Sequence, residues 1–240
     1  MRGISNLHLP LHPLPSLESK SKMIEAVIFD MDGLMLDTQR MATKAWKYAA
    51  AEYGLNFSDE LNLKLIGRSV QDSMTILKKE LGAEFPIEDC RKRATEFYFE
   101  DISQNGIPIK PGLLELIHFL KDKSIDIAIA TSTPRSLTVH MLQVAKLISH
   151  FKVIVTGDDI QNGKPSPDIF LFTAKLLNTP PGKCIVLEDS FPGIWAAHAA
   201  KMIPIMVPDL VQANDEVRSI AYAVVPSLYD AKKEIANLIG

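Results

Sequence analysis

The sequence contains little cysteine, little net charge and no long apolar run. Its two cysteines, Cys90 and Cys184, stand far apart among 240 residues, so neither a disulfide framework nor a cysteine metal site is indicated. A formal net charge of −3 gives no reason to expect a nucleic acid polymer or an anionic membrane as a partner. Because no apolar run is long enough to cross a bilayer, we expect no membrane segment, and we expect a reduced, cytoplasmic setting.

Residues 1–22 also lack a periodic apolar pattern. They contain three prolines and two histidines, which interrupt the apolar core that a signal peptide needs. A single arginine in this segment gives little support for a transit peptide. We therefore expect residues 1–22 to be a disordered extension, with the folded chain beginning at Met23.

Beyond Met23, apolar β-rich runs alternate with helical patterns. The runs are AVIFD, DIAIATS, KVIVTG, CIVLED, IPIMVP and AYAVVP. Near-continuous apolar strands separated by helices predict an α/β fold, a doubly wound parallel sheet that helices cover on both faces. Residues 39–108 interrupt the alternation with four helical patterns and no strand pattern. We therefore predict an inserted all-helical cap at 39–108 and a core made of residues 23–38 and 109–240.

Polar side chains follow several predicted strands at the point where each strand ends. They are Asp30 and Asp32 after the first strand, Thr131 and Ser132 after the second, and Glu188 and Asp189 after the fourth. In a doubly wound sheet, ligands bind beyond the carboxyl ends of the strands, so these side chains would share one rim. Four carboxylates there would repel one another without a cation, and oxygen donors of this kind suit Mg²⁺. Taken singly, the first pair also fits a solvated turn, and the last pair also fits a helix N-terminus.

A carboxylate at a strand end can act as a nucleophile and carry a phosphoryl group. Asp30 is the better placed for that role. Asp32 could protonate the leaving oxygen and then activate water, while its backbone carbonyl ligates the metal. Gly33 permits the tight backbone that this arrangement requires.

The phosphoryl oxygens need donors, and three residues offer them. Thr131 and Ser132 supply hydroxyl and amide groups, and Lys164, within NGKPSPDIF, supplies a compact cation on a loop fixed by prolines. Simpler roles exist for all three residues. The two hydroxyl residues could cap the helix that follows, and a lone lysine on a loop commonly faces solvent.

Four segments, in chain order, resemble the motifs of the haloacid dehalogenase superfamily of phosphotransferases. DMDGLMLDT resembles the first motif, ATS the second, GKPSPDIF the third and LEDSFPGI the fourth. The resemblance extends over nearly everything from Met23 onward, and it implies a Rossmann-like core with an α-helical cap. It also implies Mg²⁺ as cofactor and a role for each site residue. Those roles are Asp30 as nucleophile and metal ligand, Asp32 as general acid/base with its carbonyl on the metal, Thr131 and Lys164 as phosphate binders, and Asp189 with Glu188 as metal carboxylates.

Within that superfamily, the first motif is similar to the branch of β-phosphoglucomutase and pseudouridine-5'-phosphatase. Asp32 argues against a dehalogenase, because the true dehalogenases lack this second acidic residue. The mutases carry a histidine where this chain has Ala42 and an arginine where it has Val70, so we predict a phosphatase. It would hydrolyse a small phosphorylated metabolite, a sugar phosphate or a nucleotide or nucleoside monophosphate, through an aspartyl phosphate. A phosphosugar mutase and a non-catalytic binding or regulatory protein are the alternatives.

Substrate selection is expected to depend on the cap. Arg40 and Arg68 are the candidates for contact with the substrate, and a surface position on a solvated helix end is an equal alternative for both. The sequence gives no indication of a large apolar patch, so we expect a monomer whose partner is a small molecule.

Overall fold

The computed structural model describes residues 24–65, 70–82 and 84–239, without the side chains of residues 70–72. The predicted extension at residues 1–22 and the cap candidate Arg68 lie outside the described residues. Within the described ranges, no helix is both long enough and apolar enough to cross a membrane.

Short apolar strands form the central sheet of the described chain. They are β1 (Ala26–Phe29), β2 (Asp126–Ala130), β3 (Val153–Val155), β4 (Cys184–Glu188), β5 (Ile203–Met206) and β6 (Ala223–Val224). Every neighbouring pair runs parallel, and the order across the sheet is β3-β2-β1-β4-β5-β6. The chain therefore builds outward from β1 first in one direction and then in the other, which makes the sheet doubly wound. All of the predicted strands and the predicted parallel sheet are confirmed.

Helices form the insert after β1 and also cover the sheet. The helices of the insert are α1 (Thr38–Glu52), α2 (Asp59–Leu65), α3 (Val70–Leu81) and α4 (Ile87–Asn105). The later helices are α5 (Leu113–Asp122), α6 (Arg135–Val144), α7 (Asp168–Leu177), α8 (Phe191–Ala199), α9 (Asp215–Ile220) and α10 (Leu228–Ile239). Short 3₁₀ turns lie at Ile148–His150, Gly157–Asp159 and Pro181–Lys183. An all-helical insert is thus confirmed as part of the fold, and its division from the core at residues 39–108 stays a prediction.

Successive residues of β1 point into opposite layers of the core. Val27 and Phe29 belong to an apolar cluster that includes residues of α5 and α10. Ala26 and Ile28 belong to a second cluster, which includes residues of α7 and α8. All of these strand side chains are fully buried, because a central parallel strand has helices on both faces. This position explains why the run is apolar throughout rather than at alternate residues.

The insert has an apolar cluster of its own and two connections to the core. The buried members of this cluster are Ala45, Ala49, Ala50, Phe57, Leu61, Leu77, Ile87, Cys90 and Ala94. The connections lie side by side, since the Asp37 amide donates to the Pro108 carbonyl over 2.9 Å. The Lys110 amide likewise donates to the Met35 carbonyl over 2.9 Å. Both connections therefore leave the core at one place, directly beside the carboxyl end of β1.

Candidate active site

The carboxyl ends of the central strands β2, β1 and β4 meet at one rim. Phe29 pairs with Ile129 of β2 and with Leu187 of β4. The residues that come next on the three strands therefore lie side by side at the edge of the sheet. The Asp30 amide donates to the Leu187 carbonyl over 3.0 Å, which places Asp30 beside Glu188. Both of these acidic residues are buried.

Lys164 is the cation of this rim. Its ammonium donates to Asp30 Oδ1 at 2.5 Å, to Glu188 Oε1 at 2.6 Å and to the Ala130 carbonyl at 3.1 Å. Only 6% of its side chain is exposed. Burial by itself lowers the pKa of Lys164, but the charges of Asp30 and Glu188 outweigh burial and raise that pKa above its ordinary value. The lysine is therefore a buried, charged partner of the carboxylates and does not face solvent.

Buried carboxylates gather around this lysine. Oxygen atoms of Asp30, Glu188 and Asp189 lie within 4.8 Å of one another. Burial raises the pKa of Asp30 to about 7, although the charge of Lys164 opposes the shift. Burial, followed by the charges of Glu188 and Asp30, raises the pKa of Asp189 well above its ordinary range. The site thus holds more negative charge than its own cation balances.

A divalent cation fits this charge balance. When all three carboxylates are ionised, they carry three negative charges against the one positive charge of Lys164, which leaves two for a cation to balance. The donors are oxygen atoms, which suit Mg²⁺. The Asp32 side chain is not a member of this cluster, so the metal role predicted for Asp32 rests on its backbone carbonyl alone.

Two glycines allow the backbone to approach these carboxylates closely. Gly33 has a φ of +81°, and a Cβ built there would lie 2.2 Å from Asp189 Oδ2. A Cβ at Gly193, in the first turn of α8, would lie 1.8 Å from Glu188 Oε1. The amide and the hydroxyl of Ser190, the N-cap of α8, both donate to Glu188 Oε2, at 2.9 Å and 2.8 Å. Glu188 therefore lies at a helix start and in the carboxylate cluster at the same time.

Three hydroxyl groups orient the Asp32 carboxylate. Thr38 donates to Oδ1 at 2.8 Å, and Thr133 and Thr131 donate to Oδ2 at 2.6 Å and 3.3 Å. Thr38 belongs to α1, whereas the other two threonines lie on the loop after β2. Thr131 is buried and Ser132 is exposed, so that loop presents both a fixed hydroxyl and an accessible one.

A family model described as haloacid dehalogenase-like hydrolase matches residues 27–207. The chain belongs to this family. A phosphorylated carbohydrates phosphatase from Thermotoga maritima is 36% identical to this hydrolase over 181 residues, which cover 74% of this chain and 82% of the relative. The (DL)-glycerol-3-phosphatase 2 of Arabidopsis thaliana is 35% identical, with 88% of this chain and 90% of the relative covered.

A solved structure of β-phosphoglucomutase from Clostridium difficile has the same fold as this haloacid dehalogenase-like hydrolase. The two superpose with a TM-score of 0.69 at 30% sequence identity, over 90% of this chain and 97% of the mutase. The predicted superfamily and fold class are therefore confirmed. The predicted phosphatase activity agrees with the names of the Thermotoga and Arabidopsis relatives.

Arg40 of the hydrolase forms ion pairs beside the rim. Its Nη1 donates to Asp37 Oδ1 at 2.7 Å and to Asp209 Oδ1 at 2.6 Å, while half of its side chain, 50%, is exposed. Lys110 donates to the same Asp209 oxygen at 2.6 Å. These contacts tie both connections of the insert to the loop after β5. The predicted contact of Arg40 with substrate stays a prediction.

Several residues that the sequence analysis did not single out contact the predicted site residues. Thr38 and Thr133 bind Asp32, Gln39 Nε2 donates to Asp189 Oδ2 at 2.6 Å, and Asp209 binds Arg40. The sequence could have indicated the two threonines, because Thr38 ends the first motif segment and Thr133 directly follows the second. Gln39 also follows a motif segment, but nothing in the sequence pairs it with Asp189, and Asp209 lies outside all four motif segments.

Proposed function

We propose that this hydrolase is a Mg²⁺-dependent phosphatase. Its substrate would be a small phosphorylated metabolite, a sugar phosphate or a nucleotide or nucleoside monophosphate. The observation that carries the proposal is the arrangement of Asp30, Lys164 and Asp32. A buried carboxylate pairs with a cation, and a second carboxylate nearby is held by hydroxyl groups. The phosphatase names of the two relatives support the same activity.

Asp30 would be the nucleophile. A carboxylate oxygen of Asp30 attacks phosphorus, the bond from phosphorus to the leaving oxygen breaks, and an aspartyl phosphate forms. Lys164, already in contact with Asp30 at 2.5 Å, would neutralise the negative charge of the transferring group. Thr131 and Ser132 would bind the phosphoryl oxygens. The Gly33 N–H donates to the Leu36 carbonyl over 2.9 Å, so Gly33 would contribute by letting the turn come close to the phosphate.

Asp32 would be the general acid and then the general base. It first gives a proton to the leaving oxygen and so releases the alcohol. It then takes a proton from the water that attacks the aspartyl phosphate, which frees inorganic phosphate and restores the Asp30 carboxylate. The threonine hydroxyls would keep the Asp32 carboxylate aimed at both oxygens in turn.

Asp30, Glu188, Asp189 and the Asp32 carbonyl would hold the metal. A bound Mg²⁺ would neutralise the excess negative charge of the buried carboxylates and of the phosphate. We also propose that residues 39–108 act as a cap that selects the substrate. The cytoplasmic setting and the monomeric state stay predictions.

A phosphosugar mutase is the second candidate, and the mutase structure with the same fold favours it. Ala42 and Val70 count against it, because neither side chain can donate a hydrogen bond to a sugar or a phosphate. A non-catalytic protein would have no evident need for a buried lysine shared by two carboxylates.

Phosphate release tests the proposed function. The full chain with Mg²⁺ would be incubated with a panel of sugar phosphates and nucleoside monophosphates, and inorganic phosphate would be measured with malachite green. We expect turnover of at least one compound well above the background of Asp30→Asn. Release equal to that background on the whole panel would overturn the proposal.

A further inference from the structure

The first turn of α1 carries three consecutive side chains that each contact a carboxylate on a different loop of the core. Thr38 donates to Asp32 after β1 at 2.8 Å. Gln39 donates to Asp189 after β4 at 2.6 Å, and Arg40 donates to Asp209 after β5 at 2.6 Å. The middle contact joins the first helix of the insert to a carboxylate of the proposed metal site.

The Gln39 amide is held tightly against Asp189. A Cβ on Gly33 would lie 2.4 Å from Gln39 Nε2 and 2.2 Å from Asp189 Oδ2. Both atoms therefore pack against the same side of the Gly33 backbone. Asp189 is buried, with 6% of the residue exposed, so the amide N–H fixes a carboxylate that solvent hardly reaches.

The other end of the same amide has no partner. Gln39 Oε1 is buried and accepts no hydrogen bond within the described part of the chain. Burying a hydrogen-bond acceptor without a donor raises the free energy of the folded protein, so we expect this oxygen to have a donor. Magnesium held by carboxylates keeps several of its waters, and those waters are donors.

A buried carboxylate, Asp209, anchors the turn that carries Gln39. The Asp209 side chain is only 1% exposed, and its Oδ1 accepts from Arg40 and from Lys110, each at 2.6 Å. Lys110 lies on the connection that returns from the insert to the core. The turn is thus tied to the core at the next residue, which keeps the backbone of Gln39 close to Asp189.

We propose that Gln39 is a positioning residue of the metal site. Its amide N–H orients the Asp189 carboxylate for a divalent cation, and its free Oε1 accepts a hydrogen bond from the water shell of that cation. The inference rests on the proposed function, which assigns Asp189 as a metal carboxylate. The contact of Gln39 with Asp189 also couples the insert to the metal. A movement of α1 away from Asp189 would weaken cation binding, and cation binding would disfavour that movement by the same factor.

Magnesium affinity, measured without substrate, tests this inference. Mg²⁺ would be titrated calorimetrically into the full chain as wild type, Gln39→Leu and Gln39→Asn. Leucine cannot donate, and asparagine keeps the amide but is one methylene too short to reach Asp189. Loss of a residue that orients a metal ligand costs about 10–100-fold in affinity, so we expect the dissociation constant of both variants to rise by that factor.

Lys44→Met is the matched control. It removes a contact one turn further along α1, a 2.9 Å ion pair with Asp101 that stays within the insert. Its magnesium affinity should equal that of the wild type. Thermal unfolding of all variants would be followed in parallel, and if Gln39→Leu does not fold, Gln39→Asn decides.

Two results would overturn the inference. One is a dissociation constant within twofold of the wild type in the folded Gln39 variants, even if their Tm falls, because Gln39 would then be merely structural. The other is a wild type that binds no Mg²⁺. If the wild type binds Mg²⁺ but releases no phosphate from any compound, the proposed function is wrong. The inference about Gln39 would still be decided by the magnesium affinities.

Discussion

Thr133, on the loop after β2, donates a hydrogen bond to Asp32 Oδ2 over 2.6 Å. The two residues are 101 positions apart in the chain, and the bond joins the ends of two neighbouring strands. Of the three threonine hydroxyls that donate to Asp32, this one makes the shortest contact. It helps to orient the carboxylate that we assign to proton transfer.

Thr133→Val should lower kcat much more than it changes KM. Valine has nearly the same shape but no hydroxyl, so Asp32 would lose one of the bonds that orient it. General acid–base catalysis contributes roughly 10²–10⁴-fold, and since two hydroxyls remain, we expect a loss of about tenfold in steady-state kinetics. Thr173→Val is the control, because its buried hydroxyl donates to the Ile169 carbonyl within α7 at 2.7 Å. Equal losses in the two variants would contradict the role of Thr133.

Asp30→Asn should abolish turnover while the protein stays folded. The amide cannot attack phosphorus, so kcat should fall by on the order of 10³-fold or more. Asparagine has nearly the same shape as aspartate, so we expect the variant to keep the fold. Phosphate release and Tm would be measured, with mass spectrometry to exclude deamidation. Comparable turnover in the intact variant would contradict the nucleophile assignment.

The strand ends explain how much of the site could be predicted. A parallel strand covered on both faces is apolar almost to its end, so Asp30, directly after β1, and Glu188, the last residue of β4, mark those ends in the sequence itself. Once the strands are known, the sheet order brings those ends together, and Lys164 is found through its motif. Sheet topology and the motif segments thus carry most of the prediction.

The supporting residues could not be predicted in the same way. Gln39 looks like an ordinary polar residue in the first turn of a helix, and Asp209 looks like part of a solvated loop after β5. Their roles depend on how two loops and a helix start are oriented, which no periodicity encodes. Arg40 illustrates the same limit, because its charge was visible in the sequence but its ion pairs with Asp37 and Asp209 were not.

Metal removal should abolish activity and lower stability. Excess EDTA leaves the rim carboxylates without a balancing cation, so phosphate release should stop. Adding Mg²⁺ should restore release and raise Tm, since a ligand that binds only the native state stabilises it by mass action. Ca²⁺ should also raise Tm but support little turnover, because it accepts looser and higher coordination. Full activity in excess EDTA would contradict the metal assignment.

Gly33→Ala and Gly54→Ala should separate backbone strain from damage to the site. Both glycines have positive φ, +81° and +73°, so alanine is strained at either position by about 1–2 kcal/mol. A Cβ at Gly33 would meet Asp189 Oδ2 at 2.2 Å, whereas among the described residues no atom beyond the chain neighbours of Gly54 lies within 4 Å of a Cβ there. We expect Tm to fall in both variants, but magnesium affinity and kcat to fall only in Gly33→Ala. Similar affinity and kcat in the two variants would show that Gly33 matters for the turn alone.

The last prediction separates a phosphatase from a mutase. A mutase must protect its aspartyl phosphate from water until a sugar hydroxyl arrives, so groups of the cap must align Asp32 only when sugar is bound. The mutases that this chain resembles use a histidine and an arginine for that control. Here Ala42 has no polar side-chain atom, and Val70 cannot donate to a phosphate. Asp32, already oriented by Thr38 and Thr133, should therefore activate water as soon as the aspartyl phosphate forms.

Phosphorus NMR of β-glucose 1-phosphate, with Mg²⁺ and a catalytic amount of glucose 1,6-bisphosphate, distinguishes the two reactions. A phosphatase that accepts this sugar releases inorganic phosphate steadily, and it does so equally well without the bisphosphate, because water rather than a second sugar takes the phosphoryl group. A mutase builds up glucose 6-phosphate while inorganic phosphate stays flat, and it depends on the bisphosphate to phosphorylate Asp30. Asp30→Asn serves as the control, since it should show neither reaction. Accumulation of glucose 6-phosphate at an enzymatic rate without phosphate release would replace the phosphatase assignment with that of a mutase.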